Sequence, residues 1–143
     1  MEKDYKIAII GLGYVGLPLA IAFSKFHNVV GFDINKERIK NLQNNIDCNF
    51  DIDIQNHSKL KYTSILNDIK DSNIYIVTVP TPVTKDNTPD LTLLKSATKM
   101  LSTYINKGDI IIYESTVYPG VTEDICVPII EKNSELIFNT DFF

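Results

Sequence analysis

Three closely spaced glycines, Gly11, Gly13 and Gly16, constrain this chain more than any other feature. They follow an apolar run over residues 7–10, typical of a buried strand, and precede apolar residues that suit a helix packed on a sheet. In the G-x-G-x-x-G arrangement the first glycine allows a tight turn and the second lets a pyrophosphate approach the backbone. The third lets the helix pack closely on the strand. The unpaired N–H groups that begin the helix would face the phosphates, so the pattern predicts a dinucleotide-binding turn.

An acidic residue follows at the distance that such a turn requires. A second apolar stretch, residues 29–33, is predicted to be a strand and ends in Asp33, 33 − 11 = 22 residues after Gly11. That spacing is close to the roughly 20 residues expected for the acid that holds the ribose hydroxyls of a dinucleotide. The alternative is that Asp33 only caps the following helix, but the glycines favour the ribose role.

The composition narrows the class of protein. With 143 residues the chain is long enough for one domain, and its formal charge of −4 without a basic stripe argues against nucleic acid as a partner. No apolar run is long enough to span a bilayer, and the N-terminus does not resemble a secretion signal. Cys48 and Cys126 make no metal-binding pattern and suit a reducing compartment. We therefore expect a cytoplasmic domain without a metal or a membrane partner.

Strand-like and helix-like segments alternate along the chain, which is typical of an α/β protein with a doubly wound parallel sheet, the Rossmann fold. Six strands are predicted to start near residues 5, 28, 60, 74, 109 and 135, in the order 3-2-1-4-5-6, with helices on both faces of the sheet. Helices are predicted over residues 14–26, 35–44, 91–105 and 122–132, and a brief helix capped by Ser64 ends at Ile69. Asn35 is a suitable N-cap for the second helix, and Pro128 is a candidate kink in the last.

Two regions are harder to interpret. Residues 45–59 are polar and irregular, and they fit either an edge strand or a loop that closes over something. Asp47, Asp51 and Asp53 in this stretch lack the glycine and the terminal glutamate of a calcium loop, so we interpret them as a solvated face.

Thr81 follows the fourth strand at the sheet edge where doubly wound folds bind ligands, which makes it either a ligand contact or part of a rigid turn. Cys126 is predicted to be a small core residue.

Three segments together resemble the amino-terminal domain of the nucleotide-sugar 6-dehydrogenases. They are GLGYVGLPLA at residues 11–20, VPTP at residues 79–82 and YESTVYPGVTE at residues 113–123. The third is the most informative, since the related 3-hydroxyacid and 6-phosphogluconate dehydrogenases lack it. Its Tyr-Pro-Gly ending is more similar to the UDP-N-acetylglucosamine and UDP-N-acetylgalactosamine branch than to the UDP-glucose branch. The resemblance covers essentially the whole chain.

The resemblance implies NAD as the cofactor and assigns residues to it. The implied cofactor-binding residues are Gly11, Gly13, Tyr14, Val15, Gly16, Asp33, Arg38, Thr81 and Thr116. The backbone of Gly11, Gly13, Tyr14 and Val15 would cradle the pyrophosphate. Asp33 would hold the adenosine ribose with Arg38 close by, and the two threonines would line the path to the nicotinamide. A carboxylate at the ribose would repel a 2′-phosphate, so NAD is expected over NADP. Thr116 is also the implied catalytic residue, because its family counterpart helps to position a water molecule. The roles of Glu114 and Glu123 stay open.

The resemblance further implies a reaction and what it requires. A UDP-sugar alcohol at C6 is oxidised to a carboxylate by two NAD molecules, through a thioester on a cysteine, for surface polysaccharides such as capsule. The chain ends at Phe143, before the family's catalytic glutamate, lysine, asparagine and cysteine, and Cys48 and Cys126 do not match the nucleophile. The central dimer-forming helix and the UDP-sugar-binding domain would also follow. We therefore expect residues 1–143 to bind NAD without turnover, as part of a homodimeric enzyme. The alternative is a free-standing nucleotide-binding module that never catalyses.

Overall fold

The structure, a computed structural model, describes residues 4–47 and 57–143. In these residues five parallel strands form one sheet in the order β3-β2-β1-β4-β5. The strands are β1 (Lys6–Ile10), β2 (Asn28–Phe32), β3 (Leu60–Thr63), β4 (Ile74–Val77) and β5 (Ile110–Tyr113). The predicted doubly wound α/β fold is confirmed. Cys48, Asp51 and Asp53, which the sequence analysis interpreted, lie outside the described residues.

Helices cover both faces of the sheet, as the alternating pattern predicts. They are α1 (Gly16–Ser24), α2 (Lys36–Gln43), α3 (Thr92–Leu101) and α4 (Val127–Ser134). On one face Ile7 and Ile9 of β1 pack with α1 and α2, and on the other Ala8 and Ile10 pack with α3 and α4. A central strand buried on both faces must be apolar at every position, which explains the unbroken run before the glycines.

The strand order creates the crevice that a dinucleotide needs. β1 pairs with β2 on one side and with β4 on the other, so the chain changes direction across the sheet at β1. The loops after β1 and β4 therefore diverge to opposite faces, and in doubly wound folds ligands bind at the carboxyl ends of the strands at this point. The glycine turn follows β1 and the Pro80–Pro82 loop follows β4, so both lie at that crevice.

The sixth strand is not where the sequence predicted it. Residues 136–138 form no strand: an isolated bridge joins Phe138 to Phe142 across a turn at residues 139–141. The left-handed backbone of Glu135 (φ 61°) ends α4, and that of Asn139 (φ 59°) turns the chain again. The position beside β5 is taken instead by Phe143, which donates to Asp109 O at 3.0 Å and accepts from Ile111 N–H at 2.7 Å. The prediction of a strand at residue 135 is therefore wrong.

Of the two predicted helix caps, Asn35 is confirmed and Ser64 is wrong. Asn35 caps α2 by accepting hydrogen bonds from two backbone N–H groups, as predicted. Ser64 does not cap the short 3₁₀ turn Leu66–Ile69; the hydroxyl of Thr63 instead accepts from Ile65 N–H at 2.9 Å. Pro128 lies in the first turn of α4, directly after a π-helical turn at Thr122–Cys126 in the same helical run. Prolines and π-turns are both common causes of helix kinks, and a kink at Pro128 stays a prediction.

Two features are absent from the part of the chain that the structure describes. Across residues 4–47 and 57–143 no helix is both long enough and apolar enough to cross a membrane. Within the same residues no group of three histidine, cysteine or acidic side chains could hold a metal ion.

Candidate functional site

The glycine turn leaves open space at one glycine and none at another. A Cβ atom on Gly16 would lie 1.8 Å from Gly11 O and 2.5 Å from Thr78 Oγ1, so α1 packs against the turn only because residue 16 has no side chain. A Cβ on Gly13 would meet no atom within 4 Å. Gly11 has φ +99°, a conformation that L side chains rarely adopt. The turn thus presents bare backbone to an open space, which is the cradle a pyrophosphate needs.

The backbone of this turn offers donors for an anion. In the described part of the chain no acceptor pairs with the N–H groups of Gly13 and Val15, whereas the carbonyl of Gly13 accepts from Leu17 N–H at 3.2 Å. Tyr14 and Val15 project outward, with 77% and 48% of their surfaces exposed. Unpaired N–H groups at a helix start attract negative charge, so these predicted residues fit a phosphate-binding role.

Asp33 lies beside the turn, and each of its carboxylate oxygens accepts one backbone hydrogen bond. One carboxylate oxygen accepts from Leu12 N–H at 2.8 Å, and the other accepts from Asn35 N–H at 2.8 Å. The second bond orders the entry to α2, although the side chain that caps this helix is that of Asn35. A carboxylate can accept about four hydrogen bonds, so capacity remains for ribose hydroxyls. The structure thus places an acid beside the glycine turn with acceptor capacity to spare, and its role at the ribose stays a prediction.

Arg38 lies beneath the turn. Its Nε donates to Leu12 O at 3.1 Å, and its Nη1 forms an ion pair with Asp47 at 2.6 Å. The side chains of Arg38 and Asp47 are 9% and 2% exposed. Our interpretation of Asp47 as part of a solvated face is therefore wrong: it is a buried counter-ion, which the irregular sequence around it gave no means to predict.

Hydroxyl groups tie the loops at the carboxyl edge to one another. Thr78 Oγ1 donates to Gly11 O at 2.7 Å, which joins the end of β4 to the glycine turn. Ser115 Oγ donates to Val79 O at 2.6 Å, and Thr81 Oγ1 donates to Thr116 O at 2.5 Å. The structure thus brings the predicted Thr81 and Thr116 together, with Thr116 exposed. Sequence reasoning missed Thr78, which lies within the predicted fourth strand (residues 74–79), and Ser115, which directly follows the predicted fifth strand (residues 109–114).

An apolar pocket of about 410 Å³ opens beside the turn. Its lining includes Phe32, Ile34, Val79, Pro80, Leu93, Ala97 and Met100, together with Gly11 to Gly13, Asp33 and Ser96. Such a pocket suits a flat, largely apolar ring such as a nucleobase. The contributions from α3 were not predicted, because the helical periodicity there indicated only which residues face the core.

The prediction that Cys126 is a core residue is confirmed. It is fully buried, and burial raises the pKa of its thiol, which keeps the thiol protonated and unreactive at neutral pH. Burial also raises the pKa of the neighbouring Tyr113 hydroxyl, which lies 2.9 Å from Thr98 Oγ1. These groups form part of the core between β5, α3 and α4.

Comparison with known proteins gives consistent matches. Residues 5–143 match the UDP-glucose/GDP-mannose dehydrogenase family, NAD binding domain. Among curated relatives, the chain is 52% identical over 144 residues to a UDP-N-acetyl-D-glucosamine 6-dehydrogenase of Pseudomonas aeruginosa, covering 99% of this chain and 34% of the relative. It is also 52% identical over 143 residues to the enzyme of that name from Salmonella typhi, covering 98% and 34%.

Among solved structures, the UDP-D-ManNAc dehydrogenase of Pyrococcus horikoshii matches with a TM-score of 0.89 at 36% identity, over 96% of this chain and 34% of that one. The chain thus spans about a third of the length of each of these three proteins.

Proposed function

Because this chain belongs to the UDP-glucose/GDP-mannose dehydrogenase family, whose NAD-binding domain it matches over residues 5–143, we propose that it is the cofactor-binding part of a UDP-N-acetylhexosamine 6-dehydrogenase. The observation that carries the proposal is the open space at Gly13 next to the Asp33 carboxylate. Two relatives at 52% identity, both named UDP-N-acetyl-D-glucosamine 6-dehydrogenases, support this branch of the family.

The geometry supports a path for NAD along the carboxyl edge of the sheet. The adenine would enter the apolar pocket between Ile34 and α3, and its ribose would donate to Asp33. The N–H groups of Gly13 and Val15 would hold the pyrophosphate, with Tyr14 and Gly16 completing the turn. The nicotinamide would extend toward Thr81 and Thr116, which the hydrogen bond between them holds in place. NAD accepts a hydride when bound.

The chain's own residues would orient the cofactor and one water molecule. Thr116 is exposed, and its hydroxyl has no partner within the described residues, so it can hydrogen-bond a water at the sheet edge. We propose Thr116 as the catalytic residue of this part. Thr81 would act through Thr116, because its hydroxyl is already engaged with the Thr116 carbonyl.

The properties of the whole protein follow as proposals from the relatives, of which this chain spans about a third. We propose that a further domain binds the UDP-sugar and that a long helix joins two subunits into a homodimer. The oxidation of C6 to a carboxylate would use two NAD molecules in the cytoplasm, for surface polysaccharides such as capsule. Residues 1–143 alone would bind NAD without oxidising the sugar. The alternative of a nucleotide-binding module without catalysis is less favoured, because the matched relatives are named as dehydrogenases.

Calorimetric titration with NAD and NADP tests the proposal. We expect wild-type chain to bind NAD at micromolar to millimolar concentration and NADP more weakly. Asp33→Asn should weaken NAD binding by about tenfold, since the charge-assisted bonds to the ribose are lost. Asp71→Asn is a matched control, because it removes the same charge from an exposed aspartate at the opposite edge of the sheet. A folded wild-type sample that binds no NAD would refute the proposal.

A further inference from the structure

We propose that Asp47 helps to determine cofactor choice: by holding Arg38 beneath the glycine turn, it keeps the guanidinium from a 2′-phosphate and so contributes to the exclusion of NADP. The inference rests on the proposed NAD site. It assigns a role to a residue outside the glycine motif, in a stretch whose sequence carries no recognisable pattern.

The first step is the position of Arg38. The backbone N–H of Leu12 is held by Asp33 at 2.8 Å, and the carbonyl of the same residue is held by Arg38 at 3.1 Å. A single residue of the turn therefore separates the ribose-binding carboxylate from the guanidinium. Enzymes of this fold that use NADP accommodate its 2′-phosphate with an arginine near the end of the second strand. Arg38 is thus a cation of the right type in the right neighbourhood.

The second step is that Asp47 engages this cation. The distance from Arg38 Nη1 to Asp47 Oδ1 is 2.6 Å, and both side chains are more than nine-tenths buried, so water screens the pair little. With Asp33 and Asp47 both ionised, the group formed by these acids and Arg38 carries one net negative charge. Neutralising Asp47 would bring that group to zero, which removes the net repulsion of a phosphate beside the ribose.

The third step is that Arg38 retains capacity to bind an anion. Its Nη2 is buried and has no hydrogen-bond partner among the described residues. With a neutral side chain at position 47 the guanidinium is held less strongly, and a phosphate oxygen can compete for its two Nη atoms. Asp47 is therefore a positioning residue in this proposal, acting through Arg38, while Asp33 remains the residue that touches the ribose.

The test measures the preference for NAD over NADP, as the ratio of the two dissociation constants, in wild type and in Asp47→Asn. We expect the preference to fall by about tenfold, mainly because NADP binds more tightly, while NAD affinity changes by less than about threefold. Asp71→Asn, which removes one exposed negative charge far from Arg38, should leave the preference at the wild-type value. If Asp47 had a merely structural role, Asp47→Asn would weaken the binding of NAD and NADP together and leave the ratio of their dissociation constants unchanged.

The double variant Arg38→Met/Asp47→Asn tests the route of the effect. It removes the ion pair altogether, so we expect it to restore the wild-type preference. The proposal would be overturned if Asp47→Asn kept the wild-type ratio, or if the gain in NADP binding persisted in the double variant. Should Asp47→Asn fail to fold, the double variant decides: a roughly tenfold loss of NADP binding relative to NAD would show that Arg38 already contacts the 2′-phosphate in wild type. A wild type that binds no NAD would instead refute the proposed function itself.

Discussion

Gly13 and Gly16 belong to the same motif, but the structure predicts opposite consequences when each is replaced by alanine. A Cβ on Gly16 would lie 1.8 Å from Gly11 O, and contacts of real Cβ atoms essentially never fall below 3.0 Å, so α1 or the turn would have to shift by 3.0 − 1.8 = 1.2 Å. The contacted atom is backbone and cannot rotate away. A Cβ on Gly13 meets nothing within 4 Å, and Gly13 is not among the glycines with positive φ.

The magnitudes follow from these contacts. Overpacking costs about 1–3 kcal/mol or more, and the better helix propensity of alanine offsets up to about 1 kcal/mol. Because the clash at Gly16 is with backbone, the upper end of this range applies, and about 3 kcal/mol less about 1 leaves a loss of about 2 kcal/mol in the free energy of unfolding of Gly16→Ala. This loss is equivalent to roughly 4–8 °C in Tm. Gly13→Ala should change stability by less than about 0.5 kcal/mol. It should weaken NAD binding by at least about tenfold, because the methyl group fills the space that the pyrophosphate needs.

Urea unfolding followed by circular dichroism measures the first effect, and calorimetric titration with NAD measures the second. Gly108→Ala is the control for binding, because Gly108 has open space around it, as Gly13 does, but lies in the turn before β5. Unlike Gly13 it has a positive φ (+90°), in which alanine is strained. It should lose some stability and keep its NAD affinity. The reasoning would be refuted if Gly13→Ala bound NAD as tightly as wild type, or if Gly16→Ala unfolded at the wild-type urea concentration.

Three further predictions concern stability. Tyr62→Phe removes a buried hydroxyl without a partner in the described residues, so the free energy of unfolding should stay level or rise by up to about 1 kcal/mol. Tyr75→Phe, which removes a hydroxyl that donates to a carbonyl at 3.1 Å, should lower it by about 1 kcal/mol; equal effects in urea unfolding would contradict this contrast. Thr78→Ala should cost about 1–3 kcal/mol and Thr78→Ser much less, because serine keeps the donor to the glycine turn; a serine variant as unstable as alanine would argue against that bond. The hydrogen bond from Thr63 holds the pKa of Asp68 below its ordinary value, so the carboxylate stabilises the fold above the unfolded pKa and this contribution is lost as pH falls through the folded one. Asp68→Asn should therefore flatten the acid-side fall of Tm below about pH 4, and an unchanged slope would contradict the assignment.

Much of this protein could be predicted from local patterns. The apolar run at residues 7–10, the glycine spacing and Asp33 are short-range features, and each has one physical reason that holds wherever it occurs. They were enough to predict the parallel sheet, the cofactor turn and the cap at Asn35. The prediction of a sixth strand was wrong because a short apolar stretch at residues 136–138 does not reveal that Glu135 and Asn139, on either side of it, have left-handed backbone.

Only the tertiary structure decided the contacts between residues far apart in the chain. Thr78 and Gly11 are 67 positions apart, and Arg38 and Leu12 are 26 apart, yet these pairs hold the turn in shape. Asp47 lies in a polar stretch that looks solvated, and it is buried because packing brings it to Arg38. A periodic pattern indicates which side of an element is covered, but not which residue covers it. The sequence by itself therefore determined the sheet and the kind of ligand, whereas the partners that shape the binding turn depend on how the distant segments pack.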